Sequence, residues 1–208
     1  VLRESAGNDA RGDGADRVCG GCTVCCSVLR VDELRKLGGV ACREQRTPAE
    51  AERLGGGCGI HERRPAICRR YRCLWLRGGL EDGDRPDRLG AVLDLVTAGA
   101  DTRLEIHEAE PGAFDRSPRL REIAERHRAS LPVRVLDVGD VSDPDRPYRI
   151  LHPDGSEEHV AGERVVRLRD GRVVEERRLP WLERVVGRAI AAWRRRRFAG
   201  WDQRGTSR

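Results

Sequence analysis

The chain has 208 residues, of which 36% are charged and only 4% aromatic, with a formal net charge of +5. That length suits one domain, or one domain with an appendage, and the 38% of apolar residues exceeds a disordered chain's share while implying a thin core of Val, Leu, Ile and Ala. No stretch reaches the roughly 20 apolar residues of a membrane-spanning helix, and the sequence holds no Walker loop, dinucleotide glycine fingerprint or Gly-x-Ser-x-Gly elbow.

Four segments follow from composition. Residues 1–17 are rich in Gly and Asp, read as a disordered leader and lack the apolar middle of a secretory signal, which makes the cytoplasm the expected compartment. Residues 18–79 hold every cysteine, residues 80–147 read as mixed α and β packed on that module, and residues 148–208 as short strands with a basic C-terminal amphipathic helix. Lys36 is the only lysine and methionine is absent; both read as the codon bias of a GC-rich genome rather than as chemistry.

In chain order, Asp32 is expected to cap a short helix carrying Leu34 and Leu37 that Gly38 and Gly39 end. Thr47-Pro48-Ala49-Glu50 has capping-box spacing with Pro at the first helical position, and Gly55-Gly56-Gly57 closes that helix and acts as a hinge placing Cys58. Strands are predicted over Leu89 to Val96, Leu104 to Ala109 and Val133 to Val138. Between the last two, Ser117 caps a helix from about Pro118 to Leu131 whose apolar face is Leu120, Ile123, Ala124 and His127. His152-Pro153-Asp154-Gly155 is a turn, and Asp170-Gly171 joins Val165–Leu168 to Arg172–Glu175 as a hairpin.

The chemistry is carried by sulfur. Cys19, Cys22, Cys25 and Cys26 open the pattern at two-residue gaps, and Cys42, Cys58, Cys68 and Cys73 complete it within fifty-five residues. A two-residue gap lets one turn bring two thiolates to one ion. In a reducing compartment eight such cysteines point to metal or redox chemistry before disulfides, whereas a secreted chain would pair them as four disulfides. Side chains of the adjacent Cys25 and Cys26 diverge, so the pair fits one metal poorly. It fits better with Cys19, Cys22, Cys25 and one remote cysteine on one centre, and Cys26 with the other three on another. Soft thiolates select zinc, copper(I) or iron–sulfur clusters; the run of three with a distant fourth approaches a [4Fe–4S] spacing, and zinc and iron stay level. Arg63, Arg64, Arg69, Arg70, Arg72 and Arg77 surround the last cysteines and either offset thiolate charge or form a solvated face. His61 is a candidate nitrogen ligand, with a surface imidazole in a turn as the plainer reading.

The segment from Cys19 to Leu76 resembles the CxxCxxCC cysteine-cluster family of the YkgJ type, described as zinc- or iron-chelating. The resemblance rests on the order of the eight cysteines and on Cys58-Gly-Ile, Arg64-Pro65, Cys68-Arg69, Tyr71, Cys73 and Trp75-Leu76. Arg85-Pro86-Asp87-Arg88-Leu89-Gly90 is similar to its longer members. His61 departs from the usual tyrosine and Glu44 from a frequent histidine. The resemblance implies metal binding by all eight cysteines.

Pro180 starts a C-terminal helix with Leu182, Val185, Val186, Ala189, Ile190 and Trp193 at helical spacing, followed by Arg194 to Arg197. From Arg177 to Arg208 ten arginines face only Glu183 and Asp202, a net of +8. The helix is expected to dock by its apolar face; the tail could alternatively meet an acidic partner, a nucleic acid or a membrane surface. The expectation is an α+β fold, a small cysteine-rich metal-stapled module followed by short strands and helices. It would bind zinc or iron at least partly for structure. An iron–sulfur redox or modifying enzyme and a metal-stabilised interaction module with a basic tail are the alternatives.

Overall fold

The computed structural model describes residues 17–140 and 143–202; of the expected leader, residues 1–16 lie outside the described residues. The chain is α+β, built on a seven-stranded sheet whose spatial order follows the sequence. β1 (Ala91–Ala98) and β2 (Asp101–Glu108) run antiparallel, with Leu95 opposite Leu104 and Asp94 opposite Glu105. β2 then pairs in parallel with β3 (Val133–Leu136), Leu104 facing Val133. Parallel neighbours need a crossover, here α5 (Ala113–Arg116) and α6 (Pro118–Arg128). β4 (Tyr148–Leu151), β5 (Ser156–Ala161), β6 (Arg164–Arg169) and β7 (Arg172–Arg178) extend the sheet antiparallel, so residues on both sides of position 148 share one sheet.

Local chemistry explains several elements. Ser117 Oγ accepts from the Leu120 N–H at 3.2 Å and Pro118 sits where a missing N–H costs nothing. α6 ends at Arg128, earlier than the predicted Leu131, and lays Leu120, Ile123 and Ala124 against the sheet. His127 stays half-buried with Nδ1 2.9 Å from the Ile123 carbonyl oxygen. Asp170 and Gly171 both take positive φ, 52° and 72°, the geometry of a tight hairpin turn, and join β6 to β7. The core gathers Leu89, Leu93, Leu104, Ile106, Phe114, Leu120, Ile123, Val133, Val135 and Leu151; each large aliphatic side chain buried this way contributes about 1.5–3 kcal/mol.

Three expectations are corrected. Leu89 does not begin a strand but ends α4 (Pro86–Leu89), because Gly90 takes φ 71° and closes the helix there. Asp32 starts only a three-residue 3-10 turn, Asp32–Leu34, and its side chain caps nothing; Arg35 at φ 49° ends it. Gly38 and Gly39 are small for another reason: a Cβ on Gly39 would lie 2.8 Å from the Gly139 backbone, so the two loops touch main chain to main chain.

The C-terminal helix α7 (Trp181–Asp202) docks the opposite way from expectation. Leu182, Val185, Val186, Ile190 and Trp193 are all exposed, while Ala191 and Phe198 are buried. Small residues and paired arginines face the body instead: Arg184 bonds Glu163, Arg188 bonds Asp145, and Arg195 lies near Asp143. Among the described residues no helix is long and apolar enough to cross a membrane.

Candidate metal centre

Residues 18–79 form little regular structure: α1 (Val24–Val28), α2 (Pro48–Leu54), α3 (Ala66–Arg70) and a 3-10 turn at His61–Arg63. Thr47 and Glu50 form the expected capping box, and Gly55 ends α2 at φ 71°. Gly57 is less a hinge than a close-packing point, since a Cβ there would fall 2.1 Å from Thr23 Cγ2.

Hydrogen bonds fold the cysteine-bearing turns over one another. The Cys42 N–H donates to the Cys26 carbonyl at 3.0 Å, and Gln45 bridges to the backbone of Cys58. The Gln45 amide reaches back to α1, donating to Thr23 Oγ1 at 2.8 Å and accepting from Ser27 Oγ at 3.0 Å. At the other end the Leu74 N–H donates to the Leu93 carbonyl at 2.8 Å, and Leu74 enters the core, anchoring the segment behind Cys73 to β1.

All eight cysteines are free thiols and half-buried. Their electrostatic neighbours group them loosely into two sets, with Cys19 also sensing Cys26 across the divide. Cys25 is influenced by Cys19 and Cys22, Cys22 by Cys73, and Cys73 by Cys19, which closes a ring of four. Cys42 is influenced by Cys26 and Cys58, and Cys68 by Cys26, Cys42 and Cys58, which closes a second. The sets meet where Cys25 and Cys26 share a thiol–thiol hydrogen bond on α1. That bond, opposed by burial and assisted by Lys36 and Arg64, lowers Cys26 to about 7. Burial pushes Cys68 up to about 11.

Backbone N–H groups point at several sulfurs. Val24 donates to Cys22, Glu44 to Cys42, and Trp75 and Leu76 to Cys73. In each case a donor lies two residues after the cysteine, the arrangement by which a turn stabilises thiolate charge. A further donor to Cys22 comes from the Asp87 N–H at the start of α4. Arg85 grips the Asp87 carboxylate with two bonds of 2.7 Å, and Pro86 holds the first helical position. The Arg-Pro-Asp motif thus reaches the first sulfur set from outside the module.

Of the six arginines flanking the last cysteines, Arg64 and Arg72 oppose the burial that raises Cys19, and Arg64 adds to the lowering of Cys26. Arg64 Nε is buried without a hydrogen-bond acceptor. Arg63, Arg69 and Arg70 are exposed, and Arg77 pairs with Asp94. His61 lies exposed on its turn.

Lys36 is the residue sequence reasoning misread. It is 1% exposed, and its Nζ donates to the carbonyls of Ser27 at 3.1 Å, Leu37 at 3.0 Å and Leu29. These carbonyls belong to the last turn of α1, the residue after it and the loop that follows, so the ammonium ties that helix end to the loop. Burial lowers Lys36 to about 8, against the opposing pull of Cys42, Cys26, Cys25 and Asp140. This single lysine among forty basic residues stands where arginine's broad fork would not present three converging donors from a single point.

Among the described residues no group of three or more His, Cys, Asp or Glu side chains is drawn together as a metal-holding arrangement. The donor chemistry nevertheless suits a soft metal: eight free thiols on overlapping turns, with backbone N–H groups and cationic side chains beside several of them. No protein-family model matches the chain, and no curated protein or solved structure matches it.

Proposed function

We propose that this chain is a zinc- or iron-binding cysteine-cluster protein with two thiolate centres. Cys19, Cys22, Cys25 and Cys73 would hold one, and Cys26, Cys42, Cys58 and Cys68 the other. The observation that carries this reading is the grouping of the eight thiols into two overlapping neighbour sets that meet at Cys25 and Cys26, with Cys19 also sensing Cys26. Lys36, Arg64 and Arg72 would offset the excess negative charge that four thiolates place on a divalent ion. The metal would supply cross-links to a module in which the backbone otherwise runs through short turns. The cysteine motif supports placing the chain with the YkgJ-type family, and free thiols suit a reducing, cytoplasmic setting.

An interaction role is favoured as a second reading by α7, whose apolar side and the arginines Arg196 and Arg197 are exposed and would suit an acidic partner. Elemental analysis and an optical spectrum of protein purified without oxygen test the first reading. Stoichiometric zinc without visible absorbance, or iron with charge-transfer bands in the visible, supports it. Folded protein without either metal refutes it.

A further inference from the structure

The outward side of α7 has a composition that water alone does not explain. Trp181 is 70% exposed, Leu182 57%, Val185 56%, Val186 50%, Ile190 43% and Trp193 56%. At about 100° per residue, Leu182, Val185, Val186, Ile190 and Trp193 fall within about 140° of one another. Arg196 and Arg197 project from the same arc one turn beyond Trp193, and the Arg197 guanidinium lies 5.2 Å from the Trp193 ring centre. Neither Arg196 nor Arg197 has an ion pair among the described residues.

This orientation is fastened from behind. Gly187 allows close approach to Pro144, where an added Cβ would lie 3.0 Å from the proline Cβ. Ala191 and Phe198 are buried on that side, and Arg184, Arg188 and Arg195 pair with Glu163, Asp145 and Asp143. An amphipathic helix ordinarily buries its apolar stripe and shows its charges; here ion pairs hold the inner face and the stripe faces out.

Charge selects the occupant. A second copy laid on this face would set one arginine-rich helix against another, with only Glu183 and Asp202 as acids in each. Nucleic acid would answer the arginines but leave six large apolar side chains in water. An anionic bilayer answers both, because headgroups meet guanidinium groups while acyl chains receive the tryptophan, leucine and valine side chains.

We propose that α7 is a membrane-surface helix that lies in the plane of an anionic phospholipid bilayer, with Leu182, Val186, Ile190 and Trp193 inserted and Arg196 and Arg197 at the headgroups. This does not depend on the thiolate centres. The test is flotation of the full chain with vesicles of mixed phosphatidylglycerol and phosphatidylcholine, against pure phosphatidylcholine, at physiological salt. The protein floats with the anionic vesicles and far less with the neutral ones, and its tryptophan emission shifts to the blue. Leu182→Ser/Val186→Ser/Trp193→Ser removes binding. Arg196→Gln/Arg197→Gln weakens it about 25-fold, at about 5-fold per arginine near an anionic surface. All these positions are exposed, and an unchanged circular dichroism spectrum and melting curve establish that the variants fold. Failure to float with anionic vesicles, equal binding to neutral ones, or variants that bind like the parent would overturn the proposal. So would a solution dimer broken by the triple variant, or DNA binding that survives it, in a protein that does not float.

Discussion

The sheet body and the cysteine module reach order by different means. From Leu89 to Leu151 the chain repeats apolar residues at strand and helix periods, and Leu104, Ile106, Leu120 and Val133 are wholly buried. Among the described residues between Cys19 and Cys73, the buried apolar side chains are Val28, Val31 and Ala51. There the chain is held by backbone bonds between turns, the bracing of Gln45 and the ammonium of Lys36. On the proposed reading, a region with so little apolar burial would depend on what its thiols hold, whereas a region with a continuous aliphatic core would not.

The largest effect that could break this contrast is metal removal. Chelation under reducing conditions should unfold the module, with loss of about 10 kcal/mol of binding free energy. Amide exchange should rise over residues 19–73 while β1 to β3 stay protected; equal exchange in both regions would erase the distinction. The reciprocal perturbation is Leu120→Ala, expected to cost about 3 kcal/mol through a cavity beneath α6. It should lower the melting temperature of the sheet without changing metal content.

Lys36→Met should cost about 2 kcal/mol by leaving clustered carbonyls without their donor, and Lys36→Arg should not restore it. Urea melts monitored at Trp75, in variants lacking the other tryptophans, would sharpen the contrast by localising that loss to the module. A smaller, pH-dependent effect belongs to the sheet. Burial raises the Glu105 pKa, but His107 at 3.2 Å and the Arg103 guanidinium outweigh it and hold the carboxyl at about 2. Its folded value is below the ordinary 4.5, so its contribution is complete above 4.5 and disappears as pH falls toward 2. Stability should drop by about 2 kcal/mol across that window, and Glu105→Gln should flatten the drop.

What could be read beforehand was local. The Ser117 cap, the Thr47–Glu50 capping box, the Asp170-Gly171 turn and the apolar positions of α6 each depend on residues a few places apart, and each stands where its pattern put it. The α7 stripe was equally visible as a periodicity, but periodicity marks a face without saying which way it turns; Glu163, Asp143 and Asp145 decide that from distant loops. Lys36 was hidden by its context, since three carbonyls converge on it only after α1 and its following loop have folded back. The donation from Asp87 to Cys22 spans two segments that composition had separated. The Asp32 helix failed because a residue at positive φ, Arg35, cut it short, and nothing in the identity of an arginine announces that geometry.

The most direct test of the two-centre account is the metal-to-protein ratio of Cys22→Ser and Cys42→Ser, each prepared without oxygen beside the parent chain and the double variant. The account predicts that each single substitution removes about half of the parent's metal and that the double variant retains almost none. Loss of all metal from either single variant, or a folded parent chain that carries none, would contradict it.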